Sequence, residues 1–190
     1  MVTIKTVWTS WMGVVVMGFP LMVFAQNKGV AVGDFAPDFQ LLDQKRQLRS
    51  LKEFRGQKVV VYFYPKDDTP GCTKEACSFR DSYELYRQHG IVVIGISYDT
   101  PESHQKFAEK YQLPFILLAD TAKTVAKMYG AYGGMARWFF PKRMTFLIDE
   151  SGKVVHVFRN VDVTTHAREV LKVYGIPLSA KPSDEDAEQE

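Results

Sequence analysis

Cysteine is scarce in this chain. Only Cys72 and Cys77 occur in 190 residues, which excludes a disulfide-stapled scaffold and a four-thiolate zinc site. Charge of one sign is not in excess either. The 24 Lys and Arg face 22 Asp and Glu, a formal net charge of +2, so there is no electrostatic case for binding nucleic acid. Histidine is limited to His89, His104, His156 and His166. None pairs with a cysteine at metal-ligand spacing, and each is expected in a surface or capping role. The sequence holds no internal repeat, no phosphate-cradling glycine loop and no serine nucleophile elbow. Its 46% hydrophobic and 24% charged residues exclude wholesale disorder and a polytopic membrane protein. They leave room for one domain.

Charge is missing altogether from residues 6–27. Lys5 precedes this run, residues 11–24 are mostly apolar, and Val23 and Ala25 occupy the −3 and −1 places of a cut after Ala25. Residues 1–25 therefore read as a signal peptide. The alternative is an uncleaved anchor formed by residues 6–27, since the run nearly reaches the roughly 20 residues that span a bilayer. Either reading exports the domain, to a periplasmic and oxidising setting. Residues 179–190 are acidic and lack large apolar side chains, so they read as a disordered tail. The domain is expected over residues 26–178.

Residues 59–63 and 91–96 are continuous apolar runs rich in Val and Ile. Each predicts a strand buried on both faces, and together a parallel pair under helices. Helical spacing over residues 73–88 joins them as a right-handed βαβ unit. Further helices are expected at 101–110, 121–129 and 163–174, a short strand at 115–119, and a hairpin from 144–148 to 153–158 around a turn ending in Gly152. The sum is an α/β fold, a mixed central sheet with helices on both faces.

Thr69 followed by Pro70 is a helix start, with Thr at the N-cap and Pro in the first turn. Cys72 then falls at the third helical position, with its sulfur expected near the Thr69 hydroxyl. The unpaired amides of Gly71, Cys72 and Thr73, with the helix dipole, favour the thiolate. Positions 72, 76, 79, 83 and 86 form an inward stripe, while Cys77 falls with Asp81, Glu84 and Gln88 on the polar face. Five residues along an ideal helix place two Cα atoms about 8.6 Å apart, beyond the ~7 Å a disulfide tolerates. Bridging would close a six-residue loop worth about 2 kcal/mol, which unwinding a turn or two consumes. A reversible bridge coupled to local unfolding is the better reading; a structural staple and a metal pair are the alternatives. Asp67 and Asp68 read as loop carboxylates whose repulsion of the thiolate Lys66 and Lys74 offset.

The stretch FYPKDDTPGCTKEACSFRD at residues 63–81 resembles the active site of Q-type peroxiredoxins, the bacterioferritin comigratory proteins. The peroxiredoxin pattern of Pro, three residues, Thr, two residues and Cys is met by Pro65, Thr69 and Cys72. The Q-type addition, a second Cys five residues on, is met by Cys77. GISYDTPESH ending at His104, FAEKY at 107–111, LPF at 113–115, LLAD at 117–120 and TFLID at 145–149 extend the resemblance over about residues 30–175.

The resemblance implies a thioredoxin-like fold and reduction of hydrogen peroxide or organic hydroperoxides. Cys72 matches the peroxidatic cysteine and Cys77 the resolving one. Thr69 matches the Thr that hydrogen-bonds thiolate and peroxide, Pro65 the residue shielding the pocket, and Arg143 the Arg that polarises the O–O bond. The expected partners are a peroxide and a thioredoxin-like dithiol protein, with no metal or other cofactor, in a monomer or weak homodimer. Met144 departs from the family's Thr or Ser, which predicts a more apolar pocket. Residues 133–140 are unusually aromatic and predict either loop packing or a contact patch. Arg137 is a rival to Arg143 in the wrong register. Two other readings are a thioredoxin-like disulfide oxidoreductase, which wants Cys-x-x-Cys, and a copper chaperone, which wants Cys-x-x-x-Cys and a distal His such as His156.

Overall fold

The computed structural model describes residues 29–133 and 140–177. The expected signal segment, the acidic tail, Arg137 and most of the aromatic stretch lie outside the described residues. In chain order the elements are β1 (Gln40–Asp43), β2 (Leu48–Ser50), β3 (Lys58–Phe63), α1 (Pro70–Asp81), α2 (Tyr83–Gln88), β4 (Ile91–Ser97), α3 (Pro101–Tyr111), β5 (Ile116–Ala119), α4 (Thr124–Tyr129), β6 (Met144–Ile148), β7 (Val154–Phe158) and α5 (His166–Val173).

The strands form one sheet in the order β2-β1-β5-β4-β3-β6-β7. β3, β4 and β5 run parallel, as their continuous apolar sequences require. β6 and β7 add an antiparallel pair beside β3, and the β1–β2 hairpin pairs antiparallel to β5.

Strand alternation divides the core in two. Val59, Val61 and Phe63 of β3 face Phe39, Val125, Tyr129 and Met144. Val60 and Tyr62 face the opposite side, with Cys72, Phe79 and Tyr86 from α1 and α2, Phe107 from α3 and Val170 and Leu171 from α5. Helices therefore cover both faces. Gly95 makes a close approach possible on the second side, because a Cβ there would stand 2.7 Å from the Tyr62 ring. Tyr62 lies against Gly95 and stacks on Phe79 at 4.9 Å between centroids.

Several boundaries differ from the sequence expectations. The helix expected to run on to residue 88 breaks at Ser82, where φ is −100° and ψ 2°, and α2 restarts one residue later. The inward stripe survives the break: Cys72, Ala76, Phe79 and Tyr86 are buried and Tyr83 partly so. α4 starts at Thr124 rather than residue 121, because the Asp120 carboxylate accepts from the amides of Thr124 and Ala126 at 2.9 and 2.8 Å. α5 starts at His166 rather than 163, since Asp162 folds the preceding residues into a turn through the Thr164 amide at 2.9 Å. The β1–β2 hairpin was not expected. Its strands have four and three residues, with Asp43 their one fully buried side chain, too short for periodicity to register.

Candidate active site

α1 begins where Thr69 and Pro70 predict, with Thr69 at the N-cap in extended backbone and Pro70 in the first turn. The Thr69 hydroxyl makes no capping bond; it donates to the Lys66 carbonyl at 3.1 Å and so ties the loop before the helix. The Thr73 amide is not open either, for it donates to the Thr69 carbonyl at 2.8 Å. The first-turn amides ahead of that bond belong to Gly71 and Cys72.

Cys72 is 2% exposed and inside the core beneath α1. Arg143, directly before β6, reaches across from the sheet and its Nη2 donates to the Cys72 sulfur at 3.2 Å. Its Nη1 donates to Oε2 of Glu75. Glu75 is fully buried, one helical turn after Cys72 on the same face of α1. The guanidinium thus bridges a sulfur and a carboxylate and fixes both to the start of β6.

Burial works against the charge on Arg143, but Glu75 and Cys72 more than offset it and hold the guanidinium protonated. Burial pushes the Glu75 carboxyl up to about 7 against the pull of Arg143. Its second oxygen, Oε1, is buried without a hydrogen-bond partner. Sequence reading missed Glu75. The signal was its place three residues after Cys72, on the stripe that points inward.

Cys77 lies on the same helix as Cys72, and both thiols are free. It is half-buried rather than on a fully solvated face. It lines a cleft of about 460 Å³ with Lys74, Ser78, Asp81, Ser82, Val163, Thr164 and Arg168. Pro65 follows the end of β3 and, with Lys66, Tyr98, Asp99 and Phe140, lines a smaller cleft of about 230 Å³.

Three expectations need correction. Met144 is buried in the opposite core from Cys72, because successive β-strand residues point to opposite faces; it adds nothing apolar to the thiol's surroundings. His104 and His166 are fully buried, not surface residues. His166 Nε2 sits 2.8 Å from the Thr145 hydroxyl, and the ring packs edge-on against Phe79 and Phe158. Burial depresses it to about 4. His89 does cap a helix end, with Nδ1 at 3.0 Å from the Leu85 carbonyl. Asp68 accepts from Lys110 and Tyr111 of α3.

Cys72, Arg143 and Glu75 thus form one connected cluster at the start of α1, with a guanidinium held against a thiol. The family model described as AhpC/TSA matches residues 32–157. Peroxiredoxin Q of Oryza sativa subsp. japonica, a chloroplastic protein, is 46% identical over 145 residues, 76% of this chain and 66% of that one. The crystal structure of peroxidoxin BcpB from Mycobacterium tuberculosis superposes with a TM-score of 0.71 at 37% identity, covering 76% of this chain and 96% of that one. Xylella fastidiosa PrxQ gives a TM-score of 0.72 at 30% identity, covering 77% and 96%. The chain belongs to the AhpC/TSA family, in its peroxiredoxin Q branch, and is a thiol-dependent peroxidase with a thioredoxin-like fold.

Proposed function

We propose that this enzyme reduces hydrogen peroxide and organic hydroperoxides through Cys72 and restores itself through Cys77. The observation that carries the reading is the Arg143 guanidinium 3.2 Å from the buried Cys72 sulfur. The Cys72 thiolate attacks one peroxide oxygen, the O–O bond breaks, and the other oxygen leaves as water or an alcohol after taking a proton. Cys72 is oxidised to the sulfenic acid. Arg143 binds the sulfur before attack and meets the charge that develops on the leaving oxygen. Thr69, one turn before the sulfur, holds the peroxide, and Pro65 shields the pocket.

The Cys77 thiol then displaces water from the sulfenic acid to give a Cys72–Cys77 disulfide. A dithiol protein of the thioredoxin type reduces that disulfide and is itself oxidised. Two residues five apart on a helix cannot bond while the helix is intact, so this step unwinds part of α1. Cys77's half-buried place beside a cleft supports this reading, because its side chain can leave without opening the main core.

The enzyme is read as an exported, antioxidant protein. Residues 1–25 form the signal peptide, 26–178 the domain and 179–190 the tail. The reductant is then a thioredoxin-like protein fed from the membrane. Mature protein is expected to begin at Gln26 and to lie outside the cytoplasm; an intact Met1 in the soluble cytoplasmic fraction contradicts export. Among the described residues no helix is long and apolar enough to cross a membrane.

Stopped-flow peroxide consumption by reduced protein tests the function. Cys72→Ser should abolish it and leave the fold intact, and a variant keeping more than a few per cent of the rate overturns the assignment.

A further inference from the structure

The loop joining β3 to α1 is strapped to α3 at both ends of that helix. At the first turn, Asp67 receives three side-chain hydrogen bonds. The Ser103 hydroxyl donates to Oδ2 at 2.7 Å, Nδ1 of His104 lies 2.9 Å from the same oxygen, and the Tyr64 hydroxyl donates to Oδ1 at 2.6 Å. The Asp67 amide also donates to Asp99 at 2.9 Å. At the last turn, Asp68 takes Lys110 and Tyr111 at 2.7 and 2.6 Å, with its backbone at φ 56°, an uncommon conformation outside glycine. A carboxylate only accepts, so Nδ1 of His104 carries the proton.

His104 is fully buried, and its Nε2 has no partner. A polar ring kept inside with half its hydrogen-bonding capacity unused needs a reason beyond packing, since an apolar side chain fills the same space without that penalty. Neither Asp67 nor His104 touches Cys72 in any hydrogen bond of this structure, and the chemistry proposed above uses neither. What they fix is where α1 begins. Thr69 follows Asp67 by two residues, Cys72 follows Thr69 by three, and Arg143 approaches from a different element, the start of β6. The register of sulfur against guanidinium is therefore set by where the loop is pinned.

We infer that the Asp67–His104 pair is a positioning clamp for the peroxide step. It holds the start of α1 in the register that sets Cys72 against Arg143, and it remains the fixed point about which the first turn unwinds for the disulfide step. The inference rests on Cys72 being the peroxide-attacking thiolate. It assigns to α3, and to a histidine outside the motif, control over the balance between the two steps. Removing the clamp should slow oxidation of Cys72 without slowing formation of the disulfide, which starts from unwound helix.

The test is rapid-quench oxidation of the reduced full-length chain by hydrogen peroxide. Mass spectrometry counts Cys72 sulfenic acid and the Cys72–Cys77 disulfide, and circular dichroism confirms folding. Asp67→Asn and His104→Asn should each slow the sulfenic step about tenfold, the scale of a sub-ångström misplacement. The double variant should slow it no further than either single one, because the two act as one unit. The disulfide step should hold or quicken. Ser103→Ala, which removes one bond and leaves the pair, should slow the first step about two- to threefold on the same scale, and it decides the matter if the other variants do not fold. Sulfenic rates within twofold of wild type, equal slowing of both steps, additive losses, or an unaltered Ser103→Ala each overturn the clamp. If wild type itself is not oxidised at Cys72, the proposed function fails and takes the clamp with it. A reactive wild type with equally reactive variants removes the clamp alone.

Discussion

Cys72 and Cys77 share one helix but not one environment. Cys72 is buried at the first turn, hydrogen-bonded by Arg143, and joined through it to the buried Glu75. Cys77, a turn and a half later, is half-buried beside a cleft. The first end of α1 is tied to β6 through side chains, and the loop before it to α3. The second end has a break at Ser82 a few residues away. A thiol that reacts in place needs fixed donors around it. Among the described side-chain hydrogen bonds, the sulfur of Cys72 has such a donor in Arg143 and that of Cys77 has none.

Removing the donor at Cys72 should separate the two thiols' behaviour most. Arg143→Ala should lower the second-order rate of Cys72 oxidation by about 10²–10³, the usual loss for one charge-stabilising donor, while the disulfide step changes little. Single-turnover kinetics with hydrogen peroxide separate the two. A loss below threefold returns Arg143 to a structural ion pair.

Next in size is the pH dependence of stability, which probes the same buried end. The Glu75 carboxyl rises from 4.5 to about 7 on folding. Between those values the folded state binds the extra proton, so stability is lost as pH rises through this window. His166 falls from 6.5 to about 4. There the unfolded state binds the extra proton, so stability is gained as pH rises from about 4 to 6.5. Each contributes on the order of 3 kcal/mol with opposite sign, and the two nearly cancel between pH 4.5 and 6.5. Urea unfolding across pH 4–8 should therefore show Glu75→Gln gaining stability with pH relative to wild type, and His166→Asn losing it. Parallel curves for all three proteins contradict the assignment.

The smallest effect concerns the opposite core. Met144→Thr should lower stability by on the order of 2 kcal/mol, through lost apolar burial, and should leave the peroxide step within twofold of wild type. A changed peroxide step would place Met144 on the thiol's side of the sheet after all.

The sheet was legible where burial on both faces leaves an unbroken apolar run, as in β3 and β4, and illegible where strands are short and only partly buried, as in β1 and β2. At the site, Thr69-Pro70 marked the helix start and the inward stripe placed Cys72, because both are local signals. The place of Arg143 came from the resemblance, and the contact itself joins residues 71 positions apart. Glu75, His104 and His166 escaped because a polar residue on an inward stripe looks like an error until its partner is seen. His104 stands three residues before the buried Phe107 on α3, and His166 four residues before the buried Val170 on α5. Those spacings carry the signal, but the partners Asp67 and Thr145 lie on other elements.

In the proposed cycle Cys72 reacts from an intact helix and is resolved only after that helix opens. Amide hydrogen exchange on the reduced and disulfide forms measures this directly, with Cys77→Ser as the control that forms the sulfenic acid and cannot bridge. The disulfide form should exchange faster across about residues 69–79 and show less helical circular dichroism. β3, β4 and β6 should be unchanged, and a dithiol should restore the reduced pattern. Identical exchange in the reduced and oxidised wild type contradicts an intramolecular bridge within α1.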